Sequence, residues 1–316
     1  MQFSDFFVDI NTKVKDHDFI NSKFDNDSHN CQLKRLYFLI STPRSGSTWL
    51  CSEIYKKYGI VVHEYLQTSQ YIPLFADSSG LLNYDQDGNY KLDFEKYVDA
   101  LCIRRSKDGV LGINVHISHL YLALKLKESI IRRYPQVNVI SHFLTRKDKV
   151  LQAISYAKAA SSGVWSKVDS GSKLIYSDNQ KFNNFFESML EIFIAPLASV
   201  KYKYLLKQEK NYLNNYSKLP YSFRFEYESL SKDINYLNSG LKKIGEDLSI
   251  EPQITLNKEF KLLKTGHKSY NFLSFFIKNY GILLRALFKL ECLVKKIKYL
   301  ILRKKKKNII SLKIYF

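Results

Sequence analysis

One segment near the N-terminus constrains the fold of this 316-residue chain more than any other. Residues 36–41 form an apolar run of aromatic and branched side chains, which is typical of a buried β-strand. The run breaks at Pro43, and the small residues that follow lead into an amphipathic segment that predicts a helix over 46–58. The sequence therefore predicts a strand, a tight loop and a helix N-terminus in direct succession.

This loop is suited to binding an anion. The backbone N–H groups of residues 44–48 would point at a group on the helix N-terminus, where the helix dipole favours negative charge. Arg44 adds a cation, and the hydroxyl groups of the loop add further donors. The loop is not that of a nucleotide hydrolase, because the G-x-x-x-x-G-K-[ST] spacing and its lysine are missing.

A second strand and helix supply another pair of candidate anion-binding side chains. Residues 137–144 have the composition of a buried strand, and helical periodicity follows over 147–160. Arg146 lies at the strand end and Ser155 about two turns into the helix, so the two side chains can converge on one phosphate. The structural alternative is a helix-start ion pair between Arg146 and Asp148, with Ser155 an ordinary helix residue.

Strands and helices alternate along most of the chain. Further strands are predicted over 60–63, 109–115 and 221–226, further helices over 93–106, 118–134, 180–212 and 231–248, and loop-rich structure over 66–92. This alternation predicts an α/β fold, with a parallel β-sheet flanked by helices. We divide the chain into an N-terminal lead-in (1–30), the α/β domain (31–277) and a basic C-terminal tail (278–316).

Positive charge is concentrated in the tail. The chain has a net charge of +19, of which residues 278–316 carry +11, and apolar residues recur there at helical spacing. Such a basic amphipathic helix is expected either to lie on an anionic membrane surface or to pack on the domain with its charged face in water. These two interpretations remain open.

Other sequence features narrow the class of protein. A signal peptide and a long uncharged apolar run are both missing, so we expect a cytoplasmic protein, peripheral at the inner face of the membrane if the tail binds lipid. The four cysteines are scattered without metal-site spacing, and no metal is expected. The predicted domain carries no nucleic-acid motif, so no nucleic-acid partner is expected.

Taken together, the motifs resemble a known enzyme family. The loop string P-R-S-G-S-T-W-L is similar to the 5′-phosphosulfate loop of sulfotransferases that use 3′-phosphoadenosine 5′-phosphosulfate (PAPS). The later string T-R-x-D-K-x-x-Q-A-x-S resembles the bacterial branch typified by trehalose 2-sulfotransferase. A Glu-Tyr pair at Glu64 and a Tyr-Glu-x-Leu segment at 227–230 agree with that branch, whereas Asn114 stands where its members carry lysine.

The resemblance implies a P-loop-like sulfotransferase fold and a role for each candidate site residue. Arg146 and Ser155 would hold the 3′-phosphate of PAPS. Glu64 would be the base that takes the proton of the acceptor hydroxyl, and His116, just past strand 109–115, is its rival for that role. The 5′-phosphosulfate would lie on Pro43, Arg44, Ser45, Gly46, Ser47, Thr48 and Trp49, with Arg44 also stabilising the transition state.

The sequence therefore favours an enzyme that transfers a sulfuryl group from PAPS to a hydroxyl of a carbohydrate or glycolipid, and the resemblance also suggests a homodimer. One alternative is a small-molecule kinase with a degenerate phosphate loop, although the missing lysine and the Arg146–Ser155 string speak against it. Another is a non-catalytic basic protein that binds membranes through residues 278–316. Donor binding would separate these hypotheses.

Overall fold

The computed structural model describes residues 19–26, 32–84, 90–162, 165, 180–215, 218–253, 274–275, 277–279 and 282. Most of residues 161–177 and nearly all of the basic tail lie outside the described residues. Membrane association through residues 278–316 and formation of a homodimer therefore stay predictions. Within the described part, no helix is long and apolar enough to cross a membrane.

A five-stranded parallel sheet forms the centre of the molecule. The strands of the described structure, including two that lie outside this sheet, are β1 Arg35–Ser41, β2 Val62–His63, β3 Leu82–Tyr84, β4 Tyr90–Leu92, β5 Val110–His116, β6 Asn138–Thr145 and β7 Phe223–Glu226. The sheet has the order β2-β5-β1-β6-β7 and all its pairs are parallel, while β3 and β4 form a separate antiparallel hairpin. The predicted α/β fold with a parallel sheet is thus confirmed.

Helices cover both faces of the sheet, which explains the nearly unbroken apolar sequence of the central strands. Residues Leu36 to Ile40 of β1 have no solvent exposure. The helices are α1 Ser47–Tyr58, α2 Tyr71–Ser78, α3 Phe94–Arg105, α4 Leu120–Arg133, α5 Lys149–Ser162, α6 Gln180–Asn215, α7 Tyr227–Lys232 and α8 Ile234–Leu248. Short 3-10 turns occur at Ser22–Phe24 and Ile117–His119.

Two predictions of local structure were wrong. The segment 66–92 is not mainly loop, because it contains α2 and the β3–β4 hairpin, and α2 is held by apolar residues such as Phe75 that are buried in the core. The single helix predicted over 231–248 is divided at Asp233. The carboxylate of Asp233 accepts a hydrogen bond from Asn235 N (2.8 Å) and so caps the start of α8.

The described part of the N-terminal lead-in packs beside β2, an edge strand of the sheet. Phe19 is buried and its ring lies 6.2 Å from that of His63. Asp25 forms ion pairs with Arg104 (2.7 Å) and with the fully buried side chain of Arg105 (3.1 Å). Residues 19–26 are therefore attached to the domain by both apolar and charged contacts.

The start of α1 depends on a glycine. Gly46 is the N-cap residue with φ of 91°, and a Cβ at this position would overlap the ring of Tyr227. Gly80 also has a positive φ, 65°, but its missing Cβ would meet open space. Both glycines therefore need a left-handed backbone conformation, but only at Gly46 would an added Cβ collide with a neighbouring side chain.

We therefore expect Gly46→Ala to destabilise the protein more than the matched variant Gly80→Ala. The Gly80 variant carries only the cost of a left-handed backbone, about 1 kcal/mol. The Gly46 variant must in addition displace the ring of Tyr227. Urea unfolding followed by circular dichroism would compare the two, and equal losses of stability would show that Tyr227 does not restrict the loop.

Candidate active site

The loop between β1 and α1 is held in place by a buried glutamine. Gln152, in α5, has no exposure, and its Nε2 donates hydrogen bonds to Thr42 Oγ1 (2.8 Å) and Pro43 O (2.7 Å). Arg44 has φ of 64°, so the chain turns sharply before α1. In the described structure no side chain caps α1, which leaves the N–H groups of its first turn available to a ligand.

Arg44, Arg146 and Ser155, which the sequence predicted as anion-binding residues, come together beside this loop. Arg44 Nε donates a hydrogen bond to Ser155 Oγ (3.0 Å), and its Nη1 donates to the carbonyl of Trp165. Arg146 Nη1 donates to the carbonyl of Arg44 (3.3 Å). Ser155 is thus in direct contact with Arg44, and Arg146 is linked to both through the Arg44 main chain.

The carboxylate that faces Arg146 is Glu228 and not Asp148. Arg146 Nε lies 3.8 Å from Glu228 Oε1, and the guanidinium stacks on the ring of Tyr227 at 5.1 Å. Asp148 instead accepts a hydrogen bond from Leu151 N (2.9 Å) and caps α5. The structure therefore offers no support for the alternative of a helix-start ion pair within this segment.

Glu228 binds the N-terminal end of α5. Its two carboxylate oxygens accept hydrogen bonds from Lys147 N (2.9 Å) and Asp148 N (3.0 Å). Burial alone would raise the pKa of the Glu228 carboxyl, but these N–H groups and the charge of Arg146 outweigh burial and lower it. Glu228 therefore stays anionic and fixes Arg146 relative to α5.

The site is electrostatically prepared for an anion. Burial lowers the pKa of the Arg44 guanidinium, and the positive charge of Arg146 lowers it further, while Glu64 opposes this shift. Two polar atoms of the site, Ser45 Oγ and Arg146 Nε, are buried without a hydrogen-bond partner among the described residues. A bound anion would offset the repulsion between the guanidinium groups of Arg44 and Arg146. It would also accept hydrogen bonds from Ser45 Oγ and Arg146 Nε.

The two candidate bases lie next to each other on the neighbouring strands. In the parallel pairing of β2 with β5, Val62 faces Gly112 and His63 faces Ile113, so Glu64 comes level with Asn114. Asn114 Nδ2 donates a hydrogen bond to Glu64 Oε1 (3.4 Å). His116 Nε2 lies 3.4 Å from the same oxygen, but the angles do not make a hydrogen bond.

His116 is a neutral imidazole at physiological pH. Burial lowers its pKa to about 4, and the charge of Arg44 adds to the effect. The ring of His119 stacks on that of His116 at 6.4 Å. Burial, and then repulsion between the protonated forms of the two rings, lower the pKa of His119 to about 4 as well. The site thus places one carboxylate beside a neutral histidine, with Arg44 near both.

Sequence reasoning assigned no role to several residues that build this site. Gln152 and Glu228 hold the loop and Arg146, and Tyr227 packs on Gly46 and under Arg146. All three belong to the two motifs that resemble the family. Their positions in these motifs could have indicated that they help to build the site. Asn114 was noted only as a departure from the family pattern.

Comparison with known proteins agrees with this geometry. A sequence profile of the Stf0 sulphotransferase family matches residues 36–258, which is most of the chain and includes every residue of the site described above. The chain belongs to the Stf0 sulphotransferase family. A search of curated proteins finds no match.

Membership makes this protein a sulfotransferase-family enzyme of the transferase class. The matched span contains the loop after β1, Glu64, His116 and Arg146, and it ends before the basic tail. Among the described residues, no group of three or more His, Cys, Asp or Glu side chains could hold a metal ion.

The lowered pKa values of His116 and His119 predict a pH dependence of stability. Both residues bind fewer protons when folded than when unfolded between pH 6.5 and 4, so stability is lost as the pH falls through this window. We expect His116→Gln to reduce that loss by about 1–3 kcal/mol relative to wild type. Urea unfolding at pH 7 and at pH 4.5 measures the loss of unfolding free energy in each protein. An equal loss in wild type and in His116→Gln would contradict the assignment of a neutral buried histidine.

Proposed function

We propose that this protein transfers the sulfuryl group of PAPS to a hydroxyl of a carbohydrate or glycolipid acceptor. The observation that carries the proposal is the meeting of Arg44 and Arg146 at the open N-terminus of α1, with Glu64 directly after β2 at the same edge of the sheet. Family membership supplies the class of reaction. The donor and the acceptor are inferred from the chemistry of the site and from the sequence resemblance.

The residues present fit a donor that carries two separate anionic groups. The N–H groups at the start of α1, the buried Ser45 hydroxyl and Arg44 suit the 5′-phosphosulfate. Arg146, with a buried Nε that lacks a hydrogen-bond partner in the described structure, suits the 3′-phosphate together with Ser155. In this arrangement Ser155 Oγ would exchange its bond to Arg44 for one to the ligand.

Sulfuryl transfer forms a bond between the acceptor oxygen and sulfur and breaks the bond from sulfur to the 5′-phosphate oxygen. Glu64 would take the hydroxyl proton, since its carboxylate is partly exposed at the end of β2. Arg44 and the first-turn N–H groups would stabilise the negative charge that develops on the departing phosphate oxygen. The neutral His116 would contact the acceptor hydroxyl without adding charge.

Donor specificity and transfer can be tested separately. Adenosine 3′,5′-bisphosphate should raise the melting temperature of the purified protein, whereas ATP with magnesium should not. Incubation with ³⁵S-labelled PAPS and a panel that includes trehalose, glucose and a bacterial glycolipid extract should then label one acceptor fraction. A stabilisation by ATP–magnesium alone would overturn the proposal in favour of a kinase.

We expect Arg146→Ala to weaken the binding of adenosine 3′,5′-bisphosphate by at least about tenfold, because a charge-assisted contact of roughly 1.5–3 kcal/mol is removed. Arg132→Ala is the matched control, since that arginine is exposed and pairs with Glu95 on the surface. Titration calorimetry measures both variants. An unchanged affinity in the Arg146 variant would refute its assignment to the 3′-phosphate.

Replacement of Glu64 by Gln should lower turnover by roughly 10²–10⁴-fold, the range for loss of a general base, and leave bisphosphate affinity nearly unchanged. His116→Gln should retain more activity, because its neutral ring is not the proposed proton acceptor. Steady-state kinetics with the labelled donor compares the variants. Normal turnover in Glu64→Gln together with an inactive His116→Gln would transfer the role of base to His116.

A further inference from the structure

Asn114 connects the proposed base to the strand that carries the anion-binding loop. It lies on β5, between β2 and β1, and its side chain is almost completely buried. Its Nδ2 donates to Glu64 Oε1 (3.4 Å), and its Oδ1 accepts a hydrogen bond from Ser41 Oγ (3.4 Å). Ser41 is the last residue of β1, directly before the loop.

The chemistry of the two partners fixes the orientation of this amide. An ionised carboxylate only accepts hydrogen bonds, so the NH₂ group of Asn114 must face Glu64. The amide oxygen then faces Ser41, whose hydroxyl can donate. The amide does not titrate, and it therefore holds Glu64 Oε1 over the whole working pH range.

We propose that Asn114 is a positioning residue for Glu64, and this inference rests on the proposed function in which Glu64 is the base. The hydrogen bond from Asn114 to Oε1 fixes the orientation of the carboxylate. Asn114 contributes no charge, so it stabilises the carboxylate as a neutral donor. Asn114 thereby sets both the direction and the basicity of Glu64.

Three neighbouring groups act on Glu64 in other ways than a hydrogen bond. His116 lies close to Oε1 without the angles of a hydrogen bond. Arg44 acts on Glu64 through its charge and directs its own hydrogen bonds to Ser155 and Trp165. Cys51 in α1 is a buried thiol whose pKa is raised by burial and then by the charge of Glu64, so it stays neutral.

The experiment is a titration of Glu64 by NMR in protein with ¹³C-labelled glutamate side chains, with the resonance assigned from Glu64→Gln. Asn114→Asp, which is isosteric, should raise the titration midpoint of Glu64 by at least about one pH unit, because two carboxylates would share the contact. Asn114→Leu should raise it less, because only a donor to the charged form is lost. Asn138→Asp, at the opposite end of the sheet, is the matched control and should leave the midpoint unchanged.

Kinetics supply a second readout that a purely structural role would not produce. Asn114→Leu should lower kcat at least tenfold while the affinity for adenosine 3′,5′-bisphosphate stays within twofold, and Asn114→Asp should move the acidic limb of the pH profile upward. An unchanged Glu64 midpoint in Asn114→Asp would overturn the inference, even if the Leu variant fails to fold. If wild type sulfates no acceptor of the panel, the proposed acceptor class fails, and the NMR titration still decides the role of Asn114.

Discussion

The site depends on the placement of β1 between β5 and β6 in one parallel register. Ser41 at the end of β1 is opposite His116 of β5 and Leu144 of β6, so the segments that follow these strands reach the same edge of the sheet. The segment that follows β6 carries Arg146. Parallel strands deliver their carboxyl ends together, and residues more than 100 positions apart in sequence therefore meet without any local signal that predicts the contact.

The position of the loop on this edge is then fixed by hydrogen bonds and not by apolar packing alone. Gln152 reaches back from α5 to Thr42 and Pro43, while Glu228 from α7 binds the start of α5. The Gln152 contacts are buried, so the loss of either partner would leave an unpaired donor or acceptor in the interior, at a cost of about 1–3 kcal/mol. The Glu228 contacts lie nearer the surface, at the start of α5. The loop after β1 and the start of α5 are thus held in place before a ligand binds, which limits the entropy lost on binding.

The sequence predicted the strands and helices well where periodicity was long and the buried strands were continuous. The segment from Leu36 to Tyr58 and the strand before Arg146 formed as predicted. The failures have local causes: α2 has only eight residues and offers little periodicity, and Asp233 divides a continuous helical pattern by capping the second part. The assignment of site residues remains a prediction of the sequence and the geometry together.

Partners within the site were the least predictable feature. Asp148, two residues from Arg146, was the obvious local partner, yet the structure uses Glu228 from the far side of β7. The contact of Arg44 with Ser155 joins residues 111 positions apart. Neither choice is encoded in spacing, because the order of β6 and β7 in the sheet decides which carboxylate comes within reach.

Arg44 interacts electrostatically with both Arg146 and Glu64. Burial lowers the pKa of Arg44, the charge of Arg146 lowers it further, and the charge of Glu64 raises it. A donor anion bound at Arg44 would offset part of the positive charge that now stabilises the Glu64 carboxylate. Under the proposed function, this loss of positive charge would favour transfer of the acceptor proton to the Glu64 carboxylate.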